Sequence, residues 1–481
     1  MANSAPKFQE EYSAKLPALA LLTHLGWTFL PPEQALAARN TKLDEVVLRG
    51  ELRAQLEKRR FTYAGQEHAL SAKAIDNIIG EVCSPALNEG LLAANEKFYN
   101  HLLYGISVTE FIDGKKANPT IPLIDWQNPA NNSFLFTEEF RVLRSNTVDS
   151  RRPDIVCFVN GMPLVVIEAK RPDGNAKKGP TIEEGVSQNI RNQRHDEIPL
   201  LFAYSQLLLS INGYEGRYAT CGTPSKFWAA WREEDITDAQ MYAIKNSSLS
   251  DSQQTALFSH RPPQDLRWYQ NLLAGGELAI TGQDRILISL LSPARLLEMT
   301  RFFTLFDKKV GKIIARYQQV FGIKRLIDRI NTKRPDGGRE GGVIWHTTGS
   351  GKSFTMVFLS KALILHDALK QCRIVVVTDR IDLESQLSKT FVSGGELASK
   401  KDREAAMATS GTRLAEQIGK GTERIIFSLI QKFTTATKLP ECVNTSADII
   451  VLIDEGHRTQ GGESHIRMKQ ASPNPAFVAL T

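Results

Sequence analysis

Apolar residues follow two different patterns along the chain. Before residue 151 they recur at helical spacing, in stretches such as EEYSAKLPALALLTHLGW and ELRAQLEKRR, with polar turns between them. From residue 151 they form continuous runs: DIVCFV and LVVIEA flank NGMP, and this predicts a β-hairpin because Asn-Gly supplies the positive φ angles of a tight turn. We predict a helix over PTIEEGVSQNIRNQ and a further strand, with a second Asn-Gly turn, over LLFAYSQLLLSINGYEGRYAT.

The second half of the chain has a different pattern of apolar residues. Residues from about 225 to 310 are mostly helical in pattern, and NTKRPDGGREGG (331–342) has the polar, glycine-rich composition of a loop. From Gly342 onward, short apolar runs (GVIWH, RIVVVT, RIIFSL, DIIVLI) alternate with helical stretches. Such runs are typical of parallel strands covered by helices on both faces. The sequence therefore predicts a mixed α/β unit followed by a doubly wound, ATPase-like domain with a parallel sheet.

The stretch VIWHTTGSGKS joins a predicted strand to a predicted helix, FTMVFLSKAL. Glycines let backbone N–H groups turn towards phosphate oxygens, Lys352 would reach the β- and γ-phosphates of ATP, and Ser353 would hold Mg²⁺. The candidate nucleotide-binding residues are Thr348, Gly349, Ser350, Gly351, Lys352 and Ser353. The strict phosphate-loop pattern has glycine where this chain has His346, and a glycine-rich turn with an incidental lysine is the alternative interpretation.

A pair of carboxylates ends the predicted strand of VLIDEGHRTQ. Downstream of a phosphate loop, Asp454 would hold the Mg²⁺ shell and Glu455 would activate the attacking water. His457 could couple this site to movement. Taken alone, Asp-Glu at a strand end also fits a helix cap or a solvated turn.

A third group of candidate residues lies on the predicted hairpin. Glu168 and Lys170 are two positions apart on a strand and share a face, and the turn brings Asp154 alongside. Asp154 and Glu168 could hold Mg²⁺ on a scissile phosphate, while Lys170 stabilises charge or orients the attacking water. The alternative is a surface hairpin with salt bridges, because Asp followed by Glu-x-Lys is a common pattern.

Composition narrows the classes of protein to which this chain could belong. The 481 residues carry a net charge of +6, which only weakly favours an anionic partner. The apolar runs are much shorter than the roughly 20 residues of a membrane span, and the N-terminus lacks a signal-peptide pattern, so we expect a cytoplasmic protein without a membrane partner. The five cysteines have no paired spacing and predict neither disulfides nor a zinc site: Cys83, Cys157, Cys221, Cys372 and Cys442.

The motifs together resemble known families. TGSGKS, VVVTDR, IIFSLIQKF, DEGH and ALT are similar, in order, to the first motifs of superfamily 2 helicases and translocases. ARYQQ resembles their adenine-sensing glutamine motif, and Gln319 fits its spacing better than Gln318. With the Asp, Glu-x-Lys pattern upstream, almost the whole chain resembles the R (endonuclease) subunit of type I restriction enzymes. That family has a Gln-x-x-x-Tyr element after the nuclease lysine, and QNIRN places Gln188 and Asn192 at its two positions.

The resemblance implies an architecture and a function. We expect a PD-(D/E)xK-type nuclease domain at about 1–260, with its core at about 130–225, and a first RecA-like motor domain at 261–481, the second motor domain being absent. ATP and Mg²⁺ would drive translocation along and cleavage of double-stranded DNA, with methyltransferase and specificity subunits as partners. Two other classes remain: a free-standing helicase-nuclease of repair or antiviral defence, and a motor whose degenerate nuclease fold only grips DNA.

Overall fold

The computed structural model describes residues 10–146, 148–172, 181–307, 309–345, 351–369, 371–378, 404–454 and 474–480. Its contacts divide the chain into two compact units. Unit 1 comprises Met1–Arg301 and Lys308–Ile314, and unit 2 comprises Phe302–Asp307 and Ala315–Thr481. The boundary between a nuclease domain and a motor domain, expected near residue 260, stays a prediction. Among the described residues, no helix has the length and apolar character needed to cross a membrane.

Unit 1 combines helices with a mixed sheet. Its helices are α1 (Leu16–His24), α2 (Pro32–Ala37), α3 (Arg49–Glu57), α4 (Ala72–Val82), α5 (Leu91–Tyr104), α6 (Thr181–Asn192), α7 (Pro199–Phe202), α8 (Asp238–Lys245), α9 (Asp251–Phe258), α10 (Pro263–Ala274), α11 (Gly282–Leu291) and α12 (Pro293–Phe302). A short π-helical segment, Glu11–Lys15, leads directly into α1.

The strands of unit 1 are β1 (Thr28–Phe29), β2 (Arg60–Tyr63), β3 (Gln66–Ala69), β4 (Ile106–Ser107), β5 (Glu110–Ile112), β6 (Lys115–Ala117), β7 (Thr120–Ile121), β8 (Phe134–Glu138), β9 (Val142–Leu143), β10 (Ser150–Arg151), β11 (Ile155–Val159), β12 (Met162–Ala169), β13 (Leu207–Ile211), β14 (Gly216–Ala219) and β16 (Gly311–Ile314). Six of them form the main sheet in the order β1-β8-β11-β12-β13-β14. Strands β11, β12 and β13 are buried along their whole length, and α6 packs against β12 and β13. This burial explains why their sequences are apolar on both faces.

The predicted hairpin is confirmed. Strands β11 and β12 pair in antiparallel fashion, and the turn residues Asn160 and Gly161 have φ angles of 51° and 80°. Gly161 is also required by packing, because a Cβ atom there would lie 2.5 Å from the carbonyl oxygen of Leu48. The sequence of this turn therefore fixes both the pairing of the two strands and their approach to the start of α3.

The prediction of one strand beginning at Leu200 is wrong in its first part. Residues Pro199–Phe202 form helix α7, and the strand begins only at Leu207. Proline is favoured in the first turn of a helix, and the buried side chains of Leu201 and Phe202 give this short helix its apolar sequence. A short buried helix and a buried strand have the same apolar composition, so the pattern alone does not separate them.

Unit 2 contains the predicted parallel sheet. Its strands are β15 (Thr304–Asp307), β17 (Gly342–Ile344), β18 (Arg373–Thr378), β19 (Ile425–Leu429), β20 (Ile449–Asp454) and β21 (Ala476–Leu480), and its helices are α13 (Tyr317–Asn331), α14 (Lys352–Leu365), α15 (Gly411–Lys420) and α16 (Ile430–Ala436). Five strands pair in parallel in the order β17-β21-β20-β18-β19. Side chains from α15 and α16 pack on β18, β19 and β20 to form a core around Val377, Leu414, Ile426 and Val451.

Candidate functional site

The hairpin of unit 1 brings three candidate residues together. Ile155 pairs with Ile167, so Asp154 lies across from Glu168 at the open end of the hairpin. The Asp154 carboxylate accepts a hydrogen bond from the backbone N–H of Ala169 at 2.8 Å. The Lys170 ammonium lies 3.4 Å from Asp154 Oδ2 and 3.9 Å from Glu168 Oε2. The side chains therefore converge as the strand pattern predicts, while their catalytic roles stay a prediction.

Burial and neighbouring charges shift the pKa values of two residues in this cluster. The Glu168 side chain is fully buried, and its Oε2 atom has no hydrogen-bond partner among the described residues. Burial, reinforced by the negative charge of Asp154, raises the pKa of Glu168 well above its usual value. Burial alone would lower the pKa of Lys170, but the nearby carboxylates outweigh it and the pKa is raised. The ammonium thus partly offsets a local excess of negative charge.

The cluster has the donor atoms for a divalent cation. The Lys170 ammonium also donates to the carbonyl oxygen of Ala169 at 2.8 Å, so it lies among oxygen atoms from three neighbouring residues. Within the described ranges, no group of three or more His, Cys, Asp or Glu residues is placed to hold a metal ion. Mg²⁺ commonly uses one or two carboxylates and retains water ligands, so the pair Asp154 and Glu168, with its unsatisfied buried Oε2, fits that ion.

Helix α6 supplies a further contact to this cluster. Asn192 is buried and donates from Nδ2 to Glu168 Oε1 at 3.4 Å, while Arg191 Nη2 donates to Asn192 Oδ1 at 3.0 Å. Gln188 lies one turn earlier on the same helix and is half-buried. Asn192 therefore lies at the cluster, and its side-chain amide stands where the resemblance leads us to expect the phenol of a tyrosine.

The structure describes part of the predicted phosphate loop of unit 2. Thr348, Gly349 and Ser350 lie outside the described residues, as do Glu455 and His457. Gly351 has a φ angle of 91°, which favours glycine, and α14 begins at the next residue, Lys352. Ser353 is half-buried in the first turn of this helix.

Lys352 and Asp454 come together at the carboxyl end of the parallel sheet. Asp454 is the last residue of β20, and its buried side chain lies 3.2 Å from the Lys352 ammonium, measured between Oδ1 and Nζ. Carboxyl ends of parallel strands are where ligands bind in open α/β sheets. The predicted phosphate-binding lysine and the predicted Mg²⁺ ligand are therefore neighbours.

Gln319 is hydrogen-bonded to the end of the predicted phosphate loop. Its side-chain amide donates to the carbonyl oxygen of Gly351 at 3.3 Å and to Thr355 Oγ1 at 2.9 Å, and its Oε1 accepts from the backbone N–H of Arg316. Gln318 is exposed by contrast. The sequence did not single out Thr355, whose hydroxyl also donates to the Gly351 carbonyl. The signal in the sequence that could have identified Thr355 is its position one helical turn after Gly351.

One residue near the cluster of Asp154, Glu168 and Lys170 was missed altogether. The Glu10 carboxylate lies 3.8 Å from the Lys170 ammonium. The region before residue 151 shows no catalytic pattern, and the two residues are far apart in sequence. Only the fold brings them together.

Comparisons with known proteins match both units. Residues 7–227 match the family model described as type I restriction enzyme R protein N terminus, and residues 318–481 match the model of the SWI2/SNF2 ATPase. The chain is related to the endonuclease subunits of type I restriction enzymes. It is 29% identical to the type I restriction enzyme HindI endonuclease subunit of Haemophilus influenzae over 96% of its own length.

A second relative is the putative type I restriction enzyme MjaIXP endonuclease subunit of Methanocaldococcus jannaschii, 28% identical over the whole chain. The chain covers 41% and 43% of these two relatives, about two fifths of their length. The resemblance to R subunits that the motifs predicted is confirmed. Both described candidate sites, the cluster at Lys170 and the pair at Lys352, lie inside matched regions.

Proposed function

We propose that this chain provides ATP-driven translocation and Mg²⁺-dependent cleavage of double-stranded DNA to a type I restriction–modification system. Methyltransferase and specificity subunits would be its partners and would choose the recognition sequence. The observation that carries the proposal is the convergence of Asp154, Glu168 and Lys170 at one buried point, in a chain that also sets Lys352 against Asp454.

The hairpin of unit 1 would work as a PD-(D/E)xK-type nuclease. Asp154 and Glu168 would hold Mg²⁺, which when bound supplies Lewis-acid stabilisation of the scissile phosphate. Lys170 would stabilise negative charge on the phosphate oxygens or orient the attacking water, because its ammonium is held beside both carboxylates. Asn192 would keep the Glu168 carboxylate in one orientation through its hydrogen bond to Oε1.

Unit 2 would bind and hydrolyse ATP. Lys352 would contact the β- and γ-phosphates, and Ser353 and Asp454 would hold the Mg²⁺ that accompanies the nucleotide. Thr348, Gly349, Ser350 and Gly351 would supply backbone N–H groups, and the positive φ of Gly351 suits that turn.

Three further residues would contribute to nucleotide recognition, to hydrolysis and to its coupling with movement. Gln319 would read the adenine edge. Glu455 would activate the attacking water, and His457 would transmit the state of the site.

Two matched substitutions test the proposal in the full-length protein assembled with its methyltransferase and specificity subunits. Asp154→Asn should reduce DNA cleavage by at least about a hundredfold and leave DNA-stimulated ATP hydrolysis within about twofold. Asp454→Asn should reduce ATP hydrolysis by at least about a hundredfold, and cleavage that depends on translocation should fall with it. Equal loss of both activities in well-folded Asp154→Asn protein would contradict the assignment of separate chemistries to the two sites.

A further inference from the structure

Glu10 reaches the nuclease-type cluster from a distant part of the chain. It directly precedes the helical segment Glu11–Lys15, and its carboxylate Oε2 lies 3.8 Å from the Lys170 ammonium. Its side chain is 40% exposed, whereas that of Glu168 is fully buried. Glu10 therefore approaches Lys170 from the solvent side of the cluster.

The Lys170 ammonium is thus surrounded by three carboxylates. Asp154, Glu10 and Glu168 lie 3.4, 3.8 and 3.9 Å from its Nζ atom. The buried Oε2 atom of Glu168 has no hydrogen-bond partner among the described residues, although it faces this ammonium. A buried carboxyl oxygen that lacks a hydrogen bond is costly, so the atom is suited to a stronger cationic partner than a lysine almost 4 Å away.

The neighbouring carboxylates have other partners. Glu11 and Glu139 each lie 2.7 Å from the Lys15 ammonium. Glu10, adjacent in sequence to Glu11, is directed at Lys170 instead. Two consecutive glutamates of the same chain segment therefore bind two different lysines, and only one of these lysines belongs to the cluster.

We infer that Glu10 is a positioning residue that receives the Lys170 ammonium when a divalent cation binds Asp154 and Glu168. This inference rests on the proposed function. An ammonium and a divalent cation repel each other strongly at the short separations available among these oxygens. The ion therefore binds well only if the ammonium shifts towards the one carboxylate that is not needed as a ligand. Glu10 offers that position and keeps Lys170 close to the ion.

Binding of Mn²⁺ to the full chain, measured by electron paramagnetic resonance without nucleotide or DNA, tests the inference. Glu10→Gln should weaken Mn²⁺ binding by about threefold to fivefold, the upper part of the range expected for losing one partly exposed ion pair. Glu11→Gln is the matched control and should leave Mn²⁺ binding within about twofold. Unchanged Mn²⁺ binding in Glu10→Gln would overturn the inference.

A second pair of variants separates positioning from direct ligation. In a Lys170→Met background the competing ammonium is gone, so adding Glu10→Gln should have no further effect on Mn²⁺ binding. A further loss of Mn²⁺ affinity in this background would make Glu10 a ligand and overturn the positioning role. Asp154→Asn must itself remove this Mn²⁺ site. If it does not, the proposed nuclease metal site fails, a result distinct from failure of the Glu10 inference alone.

Discussion

Each unit sets a lysine against an aspartate at the end of a buried strand, but the surroundings of the two lysines differ. Lys170 is 9% exposed and lies near Asp154, Glu168 and Glu10. Lys352 is 23% exposed and lies 3.2 Å from Asp454. Around Lys170 the acidic side chains outnumber the ammonium, which favours the divalent cation proposed for this site. At Lys352 the described ion pair joins one positive and one negative group, and the predicted ligand, a phosphate with its metal ion, would bring both signs.

The two sites also arise in different ways. Asp154 and Glu168 are joined by a single antiparallel hairpin, whose register places them opposite each other. Lys352 and Asp454 meet because β17 and β20 are parallel strands of one sheet, separated by β21. The first site therefore depends on local pairing, and the second depends on the order of strands in a sheet assembled from distant segments.

The largest effect that separates the two sites should come from Lys352→Ala in the full-length protein. Removing the ammonium would delete the charge-assisted contact proposed with the ATP phosphates, so we expect ATP hydrolysis to fall by at least about a hundredfold. The Mn²⁺ binding that Asp154→Asn removes should stay unchanged in the absence of nucleotide, because that fraction reports the proposed site at Lys170. A parallel loss of Mn²⁺ binding would show that the two lysines do not serve independent sites.

A smaller effect should follow from Gln319→Ala. The substitution removes the hydrogen bonds to the Gly351 carbonyl and to the Thr355 hydroxyl, so the end of the phosphate loop loses its support. We expect ATP to bind about tenfold more weakly, the result of losing one or two hydrogen bonds. Gln318→Ala is the matched control because Gln318 is exposed, and titration with a fluorescent ATP analogue measures both. Equal weakening in the two variants would contradict the assignment of Gln319.

Asn192→Ala tests whether Asn192 supports Glu168 in the cluster around Lys170. Without the Asn192 amide, Glu168 Oε1 loses its donor from α6, and the buried carboxylate becomes harder to ionise. We expect about tenfold weaker Mn²⁺ binding, the low end of the range for a residue that supports a metal ligand. Gln188→Ala on the same helix should have the smaller effect, and the opposite ranking would point to Gln188 as the supporting residue.

The hairpin and the parallel sheet could be predicted because their signals are local. Continuous apolar runs mark strands that are buried on both faces, and Asn160-Gly161 marks the turn that aligns Asp154 with Glu168. Helix α7 was missed because four apolar residues fit a helix or a strand equally well. Glu10 was missed for a different reason: no periodicity relates residues that only the tertiary fold brings together.

The buried lysine Lys312 separates the effect of burial on a lysine pKa from the effect of neighbouring carboxylates. Lys312 on β16 is fully buried in unit 1, and its ammonium donates to Asn95 Oδ1, Gln206 Oε1 and the carbonyl oxygen of Ser205. These acceptors are neutral, whereas those around Lys170 include carboxylates. Burial accordingly lowers the pKa of Lys312 to about 7, while the pKa of Lys170 is raised.

This contrast predicts a pH dependence of stability for Lys312. In the unfolded chain its pKa is near 10.5, so below about pH 7 both states carry the proton and the cost of burying the charge is constant. Between these values only the unfolded chain binds the proton, so stability rises with pH, by up to about 1.4 kcal/mol per unit. The stability of Lys312→Met relative to wild type should therefore fall between pH 7 and 9, as measured by thermal unfolding. Exposed Lys116→Met is the control. A difference that does not change with pH would show that the neutral acceptors suffice to keep Lys312 charged.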